Sequence, residues 1–110
     1  MTTTQAICES MGKRWKYKNE YCVLIDGKIY NLKNIFFLMM FAKLLQARLV
    51  EEGWTVCNYH SPTFGYSSQA RRDPVEFPDF YFAESDDMDC EPKALVALYC
   101  KIHGIEVGNE

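Results

Sequence analysis

The chain has no long apolar run. The longest, IFFLMMFA over 35–42, is eight residues and then meets Lys43, far short of the roughly 18 consecutive apolar residues that suggest a membrane span. The first residues, MTTTQAICESMGKRW, lack a basic segment followed by an apolar one, so no secretory signal is expected. No CxxC spacing occurs, and the five cysteines (Cys8, Cys22, Cys57, Cys90 and Cys100) are odd in number and widely separated. That usage fits reduced thiols in a cytoplasm better than a disulfide framework. There is no GxSxG, HExxH or nucleotide-binding glycine-rich motif, and so no nucleophile elbow, zinc-protease helix or phosphate cradle. Basic residues are in the minority: 12 Lys and Arg against 15 Asp and Glu give a net charge of -3. This balance argues against a protein built to neutralise nucleic-acid phosphates.

What is present suits one compact domain over 1–110. With 48% hydrophobic and 25% charged residues among 110, such a chain buries roughly 65% of its unfolded surface. No metal, disulfide or cofactor is expected to be needed for folding.

Local signals divide the chain into helices and strands. Thr4 or a neighbouring threonine caps a short helix through QAICESM, with Gly12 at its end in the left-handed position. A strand is expected near 14–18 and a hairpin over 21–30, split by Asp26-Gly27, a strong two-residue turn signal. Asn31 is placed to cap a long helix running to about Glu52 and stopping at Gly53, with Tyr30 and Ile35 set to form a hydrophobic staple. WTVCNYH (54–60) and FPDFYFA (77–83) read as strands on either side of a long loop, HSPTFGYSSQARRDP (60–74). In EPKALVALYCKIHG the helical stripe is Leu95, Leu98 and Ile102, with Pro92 in the first turn, Gly104 at the end and Ile105 placed to close a Schellman contact. Phe80, Tyr81, Phe82 and Ala83 are apolar without alternation, a pattern of strands covered on both faces. The expected fold class is therefore α/β in the α+β sense: an antiparallel sheet sandwiched between helices, an α-β-α sandwich.

Met11-Gly12 before an aromatic strand, Glu-Glu-Gly-Trp at 51–54 closing a long helix, and Ala-Leu-Val-Ala-Leu-Tyr-Cys in the last helix resemble the phage ABA-sandwich domain family, the NinX-like small proteins of tailed phages. The chain departs from that pattern in entering its long helix through Tyr-Asn-Leu-Lys-Asn, where those proteins often have a Ser-rich segment, and in its long 60–74 segment. The resemblance implies fold and genomic setting and carries over no catalytic residues.

Several constellations are candidates for chemistry. Cys57 with His60 and Cys100 with His103 form two CxxH pairs, the residue types of a tetrahedral zinc site. On a strand Cys57 and His60 point to opposite sides, so that site requires the strand to end before His60; the alternative is separate buried thiols and a helix-terminal histidine. For nucleophilic catalysis Cys57 or Ser61 with His60, or Cys100 with His103, are neighbours in sequence without an orienting third group. KRWKYK (13–18) is either a phosphate-reading ribbon with Trp15 and Tyr17 as a stacking platform or an edge strand protected by lysines. ESDDMDCE (84–91) is either a solvated loop leading into a helix N-terminus or a surface for a basic partner.

On the long helix Ile35, Leu38, Phe41, Ala42, Leu45 and Leu49 form one core stripe, leaving Phe36, Met39 and Met40 near the opposite side. That extra patch is either covered by the N-terminal segment or open for self-association or a partner. In the 60–74 segment Phe64, Tyr66, Arg71 and Arg72 combine aromatic anchors with planar cations, residue types enriched at binding hot spots; the bland alternative is a disordered surface turn. The phage setting implied by the resemblance, the missing catalytic motifs and these candidate contact surfaces together lead to the expectation of a phage-encoded, non-enzymatic accessory protein in the host cytoplasm, a counter-defence inhibitor binding a host protein. The alternatives are a binder that sequesters a phosphorylated nucleotide signal and a zinc-dependent enzyme.

Overall fold

The computed structural model describes residues 2–106; Met1 and 107–110 of the expected domain lie outside the described residues. Three helices and six strands follow in the order α1 (Thr3–Met11), β1 (Trp15–Asn19), β2 (Cys22–Ile25), β3 (Lys28–Asn31), α2 (Ile35–Glu51), β4 (Thr55–Ser61), β5 (Gly65–Arg71), β6 (Phe82–Glu84) and α3 (Glu91–Ile102). The class is mixed α+β with antiparallel strands, which divide into two three-stranded sheets, β1-β2-β3 and β4-β5-β6.

In the first sheet the alternation of WKYKN and CVLI sets the face. Trp15 pairs with Ile25 and Tyr17 with Val23, which continues to Tyr30. Val23, Ile25 and Tyr30 are buried, with Trp15 and Tyr17 packed against the core. The opposite face carries Lys16, Leu24 and Ile29 in one row. Asp26 (φ 52°) and Gly27 (φ 83°) make the β2–β3 turn left-handed at both central positions, the geometry that matches strand twist.

Thr2, one of the expected neighbours of Thr4, caps α1 by accepting from Gln5 N at 3.1 Å. The cap of α2 is Asn34, whose Oδ1 accepts from Phe36 N at 2.9 Å, and Asn31 instead closes the preceding turn by accepting from Lys33 N at 3.1 Å. The expected Tyr30–Ile35 staple is replaced by an edge-on contact of Tyr30 with Phe37, centroids 5.9 Å apart. Three residues separate α2 from β3; Ile35 falls on the exposed side and Leu38 is half-buried, and only Phe41, Ala42, Leu45 and Leu49 are buried. Helix α3 ends as read, with Gly104 at φ 67°, Ile105 N donating to Cys100 O at 2.8 Å and Ile105 against the core.

Helix α2 packs on β3, β4 and α3, α3 packs on the second sheet, and α1 packs on β1. One core results, joining Ile7 and Cys8 of α1, the inner face of the first sheet, Phe41, Leu45 and Leu49, Leu98, Tyr99 and Cys100, and Ala70 and Ala83 of the second sheet. Each large side chain fully buried there contributes about 1.5 to 3 kcal/mol.

Two strand assignments need correction. Residues 60–74 are no long loop: β4 runs to Ser61, turns through 62–64 and returns as β5, paired from Ser61↔Gly65 to Thr55↔Arg71. Ser61 Oγ accepts from the backbone of Thr63 and Phe64, each at 3.2 Å, and Gly65 adopts φ 94°. The strand is disguised because its inward positions under α3 are small. Ser68 and Ala70 are fully buried, with Ser68 Oγ donating to Asn58 Oδ1 at 2.7 Å and Ser68 N to Ser85 Oγ at 2.9 Å. Conversely, 77–83 is strand only from Phe82. Asp73 O accepts from Phe77 N at 2.9 Å, so the chain coils through Pro78 and Asp79 before pairing.

Gly65 also lies against the Met88 carbonyl, where a β-carbon would collide, while Tyr66 and Met88 exchange two backbone hydrogen bonds of 2.8 and 2.7 Å. Gly65→Ala is therefore expected to destabilise the fold by about 1 to 3 kcal/mol through left-handed strain alone, with the collision adding to it. Equal denaturation midpoints for variant and wild type would contradict this placement.

Candidate functional site

The second sheet has one covered and one open face. Val56, Ala70 and Ala83 pair across the three strands on the side packed by α3. On the other side Thr55, Arg71 and Phe82 form one row, Cys57, Gln69 and Glu84 a second, and Tyr59 with Ser67 a third. All of these outward residues are exposed except the half-buried Ser67 and Gln69. Arg71 lies over the Phe82 ring at 5.3 Å, and Gln69 bonds Glu84 through its amide. Beside this face a shallow pocket of about 480 Å³ is lined by Arg71, Arg72, Pro74, Tyr81 and Phe82. Phe64, 69% exposed, stands at the tip of the β4–β5 turn.

Arg72 has a different setting from Arg71. Its guanidinium lies 3.8 Å from the Phe77 centroid, 4.2 Å from Trp54 and 5.5 Å from Phe80. Its Nε donates to Phe80 O at 2.7 Å, and its backbone N to Tyr81 O at 3.0 Å. Trp54 and Phe80 meet edge-on at 5.2 Å. The cation thus ties 73–81 down onto the end of α2, which delivers Phe82 into the sheet. Arg71 is left as the accessible cation of the pair. Tyr66 is half-buried and stacked on His60 at 4.3 Å, nearly parallel.

The other aromatic and methionine patch is open at its N-terminal end. Phe36 is 67% and Met40 37% exposed, and Met39 is half-buried. The patch lies on α2, so Phe36 and Met40 are uncovered by the N-terminal segment, which packs on β1.

Neither CxxH pair assembles. Cys57 is exposed on the open face, whereas His60 stacks on Tyr66 on the other side, as strand alternation requires. Cys100 is buried, and His103 stacks on Tyr99 at 4.2 Å with Nε2 2.8 Å from Glu52 Oε1. Among the described residues no group of three or more His, Cys, Asp or Glu side chains is arranged to hold a metal ion. Burial pushes the Cys100 thiol up to about 11, and burial, then the nearby Glu9 charge, does the same for Cys8, which is the opposite of nucleophile activation.

The charged segments are taken up by the fold. Trp15 packs on Phe41 with centroids 5.5 Å apart, so it is unavailable for stacking on bases; Lys16 and Lys18 remain exposed along the edge strand β1. In the acidic segment Asp89 pairs with Lys93 at 3.2 Å and Glu91 with Lys43 at 3.1 Å, Ser85 is buried, and Met88 bridges to Tyr66. Asp86 and Asp87 are exposed.

Sequence reasoning missed the outward rows containing Tyr59, Cys57, Gln69 and Phe82. The alternation in TVCNYHS was the available signal, but it does not say which side α3 would cover.

No protein-family model matches the chain, and neither a curated protein nor a solved structure is significantly similar to it. The resemblance to the phage ABA-sandwich family therefore rests on the residues quoted above.

Arg72→Ala is expected to cost about 2 kcal/mol or more, the value of a desolvated cation–π contact, while Arg71→Ala leaves the unfolding midpoint nearly unchanged; equal losses for both would remove the distinction. In the folded state a thiol reagent should label Cys57 readily and leave Cys8 and Cys100 intact until unfolding. Because both buried thiols ionise near 11 folded and near the ordinary 9 unfolded, their contribution to stability is full below pH 9. It is lost as pH rises towards 11. A flat alkaline limb, or rapid labelling of Cys100 in the native protein, would contradict their burial.

Proposed function

We propose that this chain is a phage-encoded accessory protein that acts by binding a protein of the infected host, in the manner of a counter-defence inhibitor, with the open face of the second sheet as its contact surface. The observation that carries the reading is the uncovered set Tyr59, Arg71 and Phe82, with Phe64 at the adjoining tip. Large aromatic residues and arginine dominate interface energetics because they bury much area at little rotamer cost. The β4–β5 hairpin holds Tyr59 and Arg71 in a fixed array, which lowers the ordering cost of association. The phage setting comes from the resemblance in residues 11–12, 51–54 and 94–100. Free cysteines throughout the described residues fit the host cytoplasm, and no helix there is long and apolar enough to cross a membrane.

A second reading is favoured by the pocket beside Arg71: a phosphorylated nucleotide with its phosphate on Arg71 and its base against Tyr81 or Phe82. Ligand binding to the native state raises the melting temperature by mass action, so a nucleotide screen separates the two readings.

The test of the first is affinity capture from host lysate with wild type and with a folded Tyr59→Ala/Arg71→Ala/Phe82→Ala variant, followed by affinity measurement on the captured protein. Loss of about 2 kcal/mol or more, roughly 30-fold, is the expected effect of removing hot-spot residues. A variant that keeps every specific partner at unchanged affinity would exclude this face.

A further inference from the structure

Among the described residues four strands lie at sheet edges, and three of them are defended. β1 carries Lys16 and Lys18, and pairing it with its own copy about Tyr17 would set Lys16 directly against Lys18. β3 is four residues long and begins with a lysine. β6 has three residues and ends in Glu84, after which the chain leaves the ladder and returns at Met88. β4 is different: Thr55–Ser61 is seven residues, TVCNYHS, without a charged residue or proline. Thr55, Cys57, Asn58, Tyr59 and His60 are all exposed. Lysines, prolines, bulges and shortness are the devices that stop edge strands from pairing, and β4 has none of them.

We infer that β4 pairs antiparallel with β4 of a second copy of this chain, joining two three-stranded sheets into a continuous six-stranded one about a two-fold axis. Such an interface must be self-complementary, and the sequence of β4 meets that condition. The register that pairs all seven residues centres on Asn58. It sets Cys57 against Tyr59 and Thr55 against Ser61 on the open face, and Val56 against His60 on the other, so no like charges meet. Asn58 Oδ1 already accepts from Ser68 Oγ at 2.7 Å, leaving its amide NH2 to donate across the axis. Continuing the same register carries the turn at 62–64, with its exposed Phe64, past Thr55 of the other copy towards that copy's α2–β4 connection. The inference does not rest on the proposed host partner: it uses the edge of the sheet and leaves Arg71 and Phe82 open, while Tyr59 and Phe64 border both surfaces.

Sedimentation of the wild type from micromolar to submillimolar concentration is expected to show a monomer–dimer equilibrium. Asn58→Asp retains an acceptor for Ser68 and places two carboxylates face to face, so it should raise the dimer dissociation constant about tenfold or more with the circular dichroism spectrum preserved. Facing residues of antiparallel strands lie about 4.5 to 5.5 Å apart at Cα, within the disulfide range of about 4.4 to 6.8 Å. Tyr59→Cys should therefore give a covalent dimer on oxidation, and adding Cys57→Ser should abolish it. A wild type that stays monomeric throughout overturns the inference, whatever other strand β4 accepts. So does a dimer that is indifferent to Asn58→Asp and gives no cross-link.

Discussion

A single buried stripe along α2 holds both halves of the molecule together. Phe41, Ala42, Leu45 and Leu49 are withdrawn from solvent, and they must serve both the Trp15 side of the molecule, through the Phe41 ring contact, and the α3 side. One small set of helical side chains thus organises two sheets. Each sheet has one face to bury and one shared helical core to bury it in, so each keeps an outer face in contact with water.

The two open faces differ because of what their strands carry outward. The first sheet presents Lys16 beside Leu24 and Ile29, with lysines along its outer edge. The second presents Tyr59, Arg71 and Phe82 next to Thr55, Cys57, Gln69 and Glu84, on a sheet whose central strand turns Ser68 and Ala70 inward. Those small residues let α3 lie close, and the ladder that results fixes the outward side chains in position. The aromatic enclosure of Arg72 extends the same logic. By drawing Phe77 and Phe80 to Trp54 it takes up a turn's worth of chain, so that only Phe82–Glu84 reaches the sheet. A cation that looks solvent-seeking in the sequence becomes the anchor of its segment, because its flat guanidinium is weakly hydrated and stacks on rings.

The same residues show why the candidate site was only partly legible. Asp26-Gly27, Gly12, Gly53 and the Gly104-Ile105 ending act within a few residues of themselves, and each stands where the sequence places it. The segment 60–74 was misread because proline, glycine and serine are loop residues on average. Here Ser61 closes the turn, Gly65 is required by the nearby Met88 carbonyl, and Ser68 is buried with its hydroxyl satisfied by Asn58. Ser61 acts on Thr63 and Phe64, just beyond its strand, but neither Met88 nor Asn58 is a neighbour in the chain of the residue it meets. The CxxH spacing failed for the complementary reason: Cys57 and His60 are separated by strand alternation, and His103 is held by Glu52, 51 positions away.

Local signals in the chain were enough for the mixed class, the three helices, the first hairpin and the placing of Trp15 and Tyr17 on one side of their strand, since turn residues and periodicity act over one or two turns of chain. Only the tertiary structure decided that the strands form two sheets, that Arg72 is enclosed while Arg71 is free, and that β4 is left as a bare neutral edge. Those outcomes depend on which faces α2 and α3 cover, and coverage is settled by contacts between residues far apart in the chain.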